Sequence, residues 1–153
     1  MKIREIDASD VNKLQECIVY LAEHHNQISV NFKGSFPRRP YDETICSFSE
    51  NLRNKESHIA VVEDADKIVG FCKVDVVGHN GKLDYLVVLQ GHHGKGYGRQ
   101  LMDWAMNTFR EYGVNHIEVK VVDGNDAIHL YEKYGFKIKN LIFYASVKNK
   151  RSK

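Results

Sequence analysis

The stretch of sequence that decides the fold is Leu86-Val-Val-Leu-Gln-Gly-His-His-Gly-Lys-Gly-Tyr-Gly-Arg-Gln-Leu101. It begins as an apolar strand, passes through a cluster of glycines and ends in the pattern of a helix. Glycine lets the backbone approach a ligand without interference from a Cβ atom. Successive N–H groups then converge at the helix N-terminus, where the helix dipole favours phosphate. The segment therefore predicts an anion-binding loop built from three glycines and two cations: Gly94, Lys95, Gly96, Gly98 and Arg99.

Two common nucleotide-binding loops do not fit this spacing. A Walker A loop requires a glycine, four residues and then Gly-Lys-Ser/Thr. Here Gly94-Lys95 is followed by Gly96, and Leu89 stands where the first glycine would be needed. A dinucleotide fingerprint requires Gly-x-Gly-x-x-Gly in the first strand–helix unit. This loop has a different spacing, and the strands before it read as an antiparallel meander.

The segments on either side of the loop predict a sheet with helices on both faces. Upstream, the patterns predict a strand at 2–6, helices capped by Ser9 and Asp42, strands at 58–63, 67–77 and 82–89, and a tight turn at Asn80-Gly81. Downstream, they predict a helix at 97–112, a strand at 116–122, a short helix at 125–134 and a last strand at 141–147. This order predicts an α/β fold whose mixed, mostly antiparallel central sheet is flanked by helices on both faces.

Length and composition favour one globular domain. The chain has 153 residues, of which 42% are hydrophobic and 27% charged. We expect a single domain over residues 1–148, followed by a basic, solvated tail at 149–153. The net charge of +2 does not favour a nucleic-acid partner, and no apolar stretch is long enough to predict a membrane span. The basic residues near the C-terminus are Lys148, Lys150, Arg151 and Lys153.

The cysteines and histidines do not predict a metal site. Cys17, Cys46 and Cys72 are odd in number and lack metal-ligand spacing, so we interpret them as reduced thiols of the core and expect a cytoplasmic location. The adjacent pairs His24-His25 and His92-His93 diverge on a helix or strand and therefore do not chelate readily.

A second motif lies about thirty residues after the glycine loop and reads Asn125-Asp126-Ala127-Ile128-His129-Leu130-Tyr131-Glu132-Lys133-Tyr134-Gly135-Phe136. Taken alone, it predicts a short helix with Asn125 as its cap, Tyr131 as a half-buried aromatic residue and Gly135 at its C-terminus.

Together the two motifs resemble the GNAT acetyltransferase family. The segment from His93 to Gly98 resembles the family's pyrophosphate loop, Gln/Arg-x-x-Gly-x-Gly, with histidine at the position where Gln or Arg is usual. The second motif resembles Asn-x-x-Ala followed by Leu-Tyr-x-x-x-Gly-Phe, although here Ala127 comes two residues after Asn125. The resemblance extends over nearly the whole chain and is strongest from Leu83 to Phe136.

The resemblance implies that the chain binds acetyl-CoA as cosubstrate. The loop amides would hold its pyrophosphate, the strand before the loop would splay from its neighbour and pair with the pantetheine arm, and Asn125 would lie near that arm. The cofactor-binding residues implied in this way are Leu86, Val87, Val88, His93, Gly94, Lys95, Gly96, Tyr97, Gly98, Arg99 and Asn125.

The resemblance also implies N-acetyltransferase activity toward a primary amine of a small molecule or peptide. Tyr131 would lie near the CoA sulfur; with an ordinary pKa of about 10 it remains protonated at pH 7 and can act as general acid. Asp84 is the candidate general base, acting directly or through water, unless it is an ordinary solvent-facing strand residue. Tyr85 is an alternative lining residue.

The acceptor side and the rival functions stay open at this stage. Family acceptor sites usually draw on the early helices and their connecting loop, here His25 to Tyr41, which could equally be a solvated loop with a few anchoring aromatics. Family habit implies a homodimer. A non-catalytic acyl-CoA-binding or regulatory module is the alternative to an enzyme, and a nucleotide-binding enzyme would instead be protected by ATP or NAD. The candidate acceptor residues are Phe32, Lys33, Phe36, Arg38, Arg39 and Tyr41.

Overall fold

Five strands and four α-helices are present in the computed structural model, which describes residues 2–36, 40–145 and 147. The strands are β1 (Lys2–Ile6), β2 (Ser57–Asp64), β3 (Lys67–Val77), β4 (Asn80–Val88) and β5 (His116–Val119). The helices are α1 (Gln15–Ile28), α2 (Tyr41–Arg53), α3 (Tyr97–Glu111) and α4 (Ala127–Lys133), with a 3₁₀ helix at Ala8–Leu14 before α1.

The strands form one sheet in the order β1-β2-β3-β4-β5. The first three pairings are antiparallel, and β4 pairs with β5 in parallel. Side chains alternate along β2, so that Ile59 and Val61 belong to one core while Ala60 and Val62 belong to the other. The 3₁₀ helix, α1 and α2 cover the first face, and α3 and α4 cover the second. The predicted α/β fold, with a mostly antiparallel sheet and helices on both faces, is confirmed.

Strand β4 contains a β-bulge at Asp84. Lys73 of β3 lies opposite Tyr85 and Val74 lies opposite Leu83, so Asp84 is the extra residue between them. Leu83 packs in the core under α3, whereas Tyr85 packs in the core under α1 and α2. The bulge therefore places Asp84 and Tyr85, which are neighbours in sequence, on the same side of the sheet.

The pairing of β4 with β5 ends halfway along β4. Its register runs from Asn80–His116 to Leu83–Val119. Within the described ranges, no strand lies beside residues 84–88 on that edge. The predicted strand at 116–122 is thus too long, because the chain turns away at its end and Asn125 N–H donates to the Val122 carbonyl at 3.0 Å. A gap consequently opens between the two strands.

Three local predictions are corrected by the structure. The β3–β4 turn falls at Gly78 and His79, where Gly78 has φ +60°, rather than at Asn80-Gly81. Gly81 lies within β4, where a Cβ would come 2.6 Å from the Phe109 ring. Asp7, not Ser9, caps the 3₁₀ helix by accepting from the Ser9 N–H at 2.9 Å. Helix α2 starts after Pro40 without a side-chain cap, so Asp42 lies in its first turn.

The end of the chain departs from the predicted last strand. Residues 141–145 and 147 have no regular structure and are exposed. Alternating hydrophobicity predicts a strand only if a partner strand is present, and no described strand pairs with this segment. The predicted basic tail lies outside the described residues, and the division at residue 148 remains a prediction. No helix in the described part of the chain has the length and apolarity needed to cross a membrane.

The cysteines do not all lie in the core. Cys17 and Cys72 are buried, but Cys46 is exposed on the outer side of α2, which corrects the expectation for that residue. Burial raises the pKa of the Cys17 thiol to about 12 and raises that of Cys72 as well. Both buried thiols therefore remain protonated near neutral pH.

Candidate active site

The glycine loop leads directly into the N-terminus of α3. Gly94 and Gly96 have φ values of +78° and +82°, and Gly96 is the last residue before the helix begins at Tyr97. A Cβ at either glycine would meet no atom within 4 Å. These positions therefore require glycine for its left-handed conformation, and the space in front of the loop is open to a ligand.

Gly96 and Gly98 provide a matched pair of alanine substitutions. A Cβ at Gly98 would meet only Leu130 Cδ2, at 3.7 Å. We expect Gly98→Ala to change the free energy of unfolding by less than about 1 kcal/mol. Gly96→Ala should cost about 1–2 kcal/mol, because an L-residue is strained at this φ. The family resemblance implies that Gly96→Ala also weakens CoA binding, because it reorients the first helical amide. Urea unfolding measures the change in stability, and calorimetric titration with CoA measures the change in affinity. Equal changes in Gly96→Ala and Gly98→Ala would contradict the assignment of Gly96 to the anion-binding loop.

Charged side chains surround the loop. Lys95 Nζ lies 3.6 Å from Asp64 Oδ2, and His92 Nδ1 lies at the same distance from that oxygen. The Tyr97 hydroxyl donates to Asp64 at 3.1 Å, and this bond, with the nearby Lys95, lowers the pKa of Asp64. Because the Tyr97 side chain is buried, only its backbone N–H is available to a ligand. Arg99 is exposed in the first turn of α3.

His93 connects the loop to the end of β4. Its Nε2 lies 2.6 Å from the Val88 carbonyl oxygen, to which it donates in the tautomer that carries hydrogen on Nε2. The histidine at the position of the usual Gln or Arg is thus turned toward the strand. The structure brings together two groups of predicted site residues, the glycine loop and the strand before it.

Residues 86–88 border the gap between β4 and β5. Val87 is buried in the core under α1 and α2, while Leu86 and Val88 pack toward α3. One edge of this segment is paired with β3. Its other edge has no partner strand among the described residues, so the backbone N–H and C=O groups there, apart from the Val88 carbonyl that His93 contacts, are available to an extended ligand.

Tyr131 lies on α4 at the second face of the sheet. It is 7% exposed and packs near Phe136, with 5.9 Å between ring centroids. Burial, and to a lesser extent the neighbouring Cys72, raises the pKa of Tyr131 to about 12. The phenol therefore holds its proton throughout the neutral range and can act only as a donor there.

The segment before α4 is attached to the end of α1. Asn125 Oδ1 accepts from the Ala127 N–H at 2.9 Å, but the N-cap position of α4 is Asp126, which corrects the prediction that Asn125 caps this helix. Asp123 accepts from Ser29 Oγ at 2.6 Å and from the Asn31 N–H at 2.8 Å. Sequence reasoning missed Asp123, whose only signal is the turn-forming pair with Gly124.

Asp84 lies on the first face of the sheet, opposite Tyr131. Its Oδ2 is 2.8 Å from Lys73 Nζ, and its Oδ1 is 3.4 Å from Lys82 Nζ. The sheet separates the two predicted catalytic side chains, and the gap between β4 and β5 is the opening between the faces. Lys73 was also missed, although a lysine inside the apolar run of β3 was a visible signal.

The predicted acceptor residues are only partly brought together. The Phe36 N–H donates to Asn26 Oδ1 at 2.9 Å, which fixes the loop after α1. Tyr41 instead donates its hydroxyl to the Asn12 carbonyl at 2.8 Å and so faces the 3₁₀ helix. Tyr85 packs edge to face against Phe48, with 4.9 Å between ring centroids. Two further predicted residues lie outside the described part of the chain: Arg38 and Arg39.

Comparison with curated proteins identifies relatives that acetylate different molecules. Streptothricin acetyltransferase of Streptomyces lavendulae is 37% identical over 86 residues, covering 54% of this chain and 45% of that protein. The [ribosomal protein bS18]-alanine N-acetyltransferase of Haemophilus influenzae is 27% identical over 90 residues, covering 59% and 61%. The chain therefore spans less than two thirds of the length of these relatives.

Solved structures share the fold over nearly the whole chain. A mutant of the BH1408 protein from Bacillus halodurans has a TM-score of 0.81 at 21% identity and covers 97% of this chain and 100% of its own. A predicted acetyltransferase from Clostridium acetobutylicum, solved with acetyl-CoA, has a TM-score of 0.74 at 16% identity and covers 95% of each chain. The family model described as Acetyltransferase (GNAT) family matches residues 18–136. On this match, the chain belongs to the GNAT acetyltransferase family.

Proposed function

We propose that the protein transfers the acetyl group of acetyl-CoA directly to a primary amine of a small molecule or peptide. The observation that carries this proposal is the gap between β4 and β5. The glycine loop follows the unpaired end of β4, and Tyr131 and Asp84 belong to opposite faces of the sheet. The donor can thus enter from one face and the amine from the other.

The residues present suit an acyl-CoA. The open cradle of Gly94 and Gly96 at the start of α3 is suited to a pyrophosphate, with Lys95 and Arg99 as counter-charges. The backbone of 86–88 would pair with the pantetheine amides, and Asn125 would lie beside that arm. Pairing with the Val88 carbonyl would require the His93 imidazole to move, since it now occupies that acceptor.

Three groups of this chain would take part in acetyl transfer: a backbone N–H of 86–88, Tyr131 and Asp84. Acetyl-CoA supplies an activated acetyl thioester. A backbone N–H of 86–88 would polarise the carbonyl, an interaction typically worth about 3 kcal/mol in such sites. The protonated Tyr131 would donate to the departing sulfur, and Asp84 would accept the proton lost by the amine, directly or through water.

Replacement of Asp84 tests its role as base. Asp84→Asn is expected to lower kcat by roughly 100-fold at pH 7. The loss should shrink as the pH rises, because the fraction of free amine grows and proton removal becomes less necessary. A pH–rate profile measures this. The control is Asp66→Asn, at an exposed position of the β2–β3 turn. If Asp84→Asn had the same pH–rate profile as this control, Asp84 would not be the base.

The relatives suggest which amines to test. Their names specify streptothricin and a ribosomal-protein alanine as acceptors, and an aminoglycoside acetyltransferase of the same fold was solved with sisomicin. We therefore choose streptothricin, sisomicin and a peptide with N-terminal alanine as a panel. A cytoplasmic location and a homodimer belong to the same proposal; the first rests on three cysteines without ligand spacing and the second on family habit.

Thermal unfolding with acetyl-CoA, CoA, ATP and NAD tests the cofactor. A ligand at 100 times its Kd that binds only the folded state adds about 2.7 kcal/mol, which corresponds to roughly 5–10 °C in Tm for a chain of this size. We expect that shift with both CoA species and little with ATP or NAD. No shift with either CoA species at millimolar concentration would contradict the proposal, and a shift with ATP or NAD would favour a nucleotide-binding enzyme.

A further inference from the structure

A buried lysine lies beneath the proposed base. Lys73 is 2% exposed and lies in the middle of β3. Its Nζ is 2.8 Å from both Asp75 Oδ1 and Asp84 Oδ2, and 5.2 Å from the centroid of the Phe48 ring. Asp75 also accepts from Ser57 Oγ at 2.5 Å. Two carboxylates and an aromatic face thus surround the ammonium, as a desolvated cation requires.

Stability alone does not account for this arrangement. Replacing a buried ion pair by apolar side chains of similar volume is often neutral or stabilising, because the pair does not fully recover its desolvation cost. The contact also occurs at a distinctive place. Asp84 is the extra residue of the β4 bulge, immediately after the last β4–β5 pair at Leu83. Lys73 therefore connects the regular strand β3 to the point where β4 leaves its neighbour.

We propose that Lys73 is a positioning residue for acetyl transfer, which holds the Asp84 carboxylate by one oxygen and fixes the β4 bulge beside the gap. This inference rests on the proposed function. The ion pair with Lys73 engages Asp84 Oδ2. The other oxygen, Oδ1, lies on the partly exposed side of the carboxylate, 3.4 Å from Lys82 Nζ. By holding Oδ2, Lys73 fixes the orientation of the carboxylate and aims Oδ1 at the acceptor.

A double-mutant cycle distinguishes positioning from a structural role. We expect Lys73→Met to lower kcat by roughly 10- to 100-fold on any amine of the panel that is turned over, with the Kd for CoA unchanged. In an Asp84→Asn background, Lys73→Met should have no further effect on kcat, because the carboxylate that it positions is already lost. Additive losses in the cycle would overturn the proposal.

Lys82→Met is the matched control, since Lys82 contacts the same carboxylate from an exposed position. It should leave kcat near that of the wild type. If Lys73→Met alone fails to fold, the double variant with Asp84→Asn removes one of the two carboxylates that lose their lysine and is compared with Asp84→Asn alone.

A spectroscopic measurement tests Lys73 independently of turnover. Backbone amide chemical shifts of residues 84–88 should change in Lys73→Met and stay in place in Lys82→Met. Unchanged shifts in both variants would overturn the proposal even if an acceptor is found. Conversely, absence of turnover on every amine would count against the proposed function, while the chemical shifts would still decide whether Lys73 fixes the bulge.

Discussion

Tyr131→Phe is expected to lower kcat by roughly 10²–10⁴-fold while leaving the Kd for CoA within about twofold of the wild-type value. The substitution removes one hydroxyl and retains the ring, which packs in the core beside Phe136. The departing thiolate would then lack its proton donor, whereas the loop and strand proposed to hold the cofactor are untouched. Steady-state kinetics and calorimetric titration with CoA give the two quantities.

The pH dependence provides a second criterion for Tyr131. Because its pKa is raised to about 12, the acid should stay protonated as the pH rises through 10, the ordinary value for tyrosine. A basic limb below pH 10 that disappears in Tyr131→Phe would contradict this role. The control is Tyr112→Phe, at the half-exposed far end of α3; equal turnover in both variants would also exclude Tyr131 as the acid.

The largest expected effect on stability comes from Gly124→Ala. Gly124 has φ +86°, and a Cβ there would lie 2.3 Å from the Ile28 carbonyl oxygen. An L-residue in this conformation costs about 1–2 kcal/mol, and relieving the contact by a backbone shift typically costs a further 1–3 kcal/mol. We therefore expect a loss of about 2–5 kcal/mol in the free energy of unfolding, measured by urea denaturation.

Gly113→Ala is the matched control for Gly124→Ala. Gly113 has φ +66°, but a Cβ there would meet no atom within 4 Å. Gly113→Ala should lose only the conformational part of the free energy of unfolding. The difference in this free energy between the two variants therefore measures the cost of the contact with Ile28. Since Asp123 holds Ser29 and Asn31 next to this contact, Gly124→Ala should also raise KM for the amine. Equal losses of stability would show that the backbone relaxes freely here.

Local patterns predicted most of the elements because each one reports on its own burial. Alternation in β2 and the periodicity of α3 gave both the elements and the faces that they bury. Sequence patterns that form a strand or a turn only in contact with another segment of the chain were less reliable. The predicted strand at 141–147 has suitable alternation but no neighbouring strand in the described ranges, and the turn expected at Asn80-Gly81 moved because Gly81 is needed against Phe109.

The same contrast between local patterns and distant contacts applies to the candidate site. The glycine loop and Tyr131 could be predicted because their chemistry is contiguous in sequence. Lys73 and Asp123 could not, since each acts through residues far along the chain, Asp84 and Ser29 respectively. The bulge that turns Asp84 toward Lys73 depends on the register between β3 and β4, which no local pattern specifies.

The central claim is tested most directly by following release of the CoA thiol from acetyl-CoA in the presence and absence of streptothricin, sisomicin and the N-terminal alanine peptide. Amine-dependent release by the wild type, with the acetylated amine identified by mass spectrometry and both signals lost in Tyr131→Phe, is the predicted result. Tight binding of acetyl-CoA without amine-dependent release would contradict it and would point to a non-catalytic acyl-CoA-binding module.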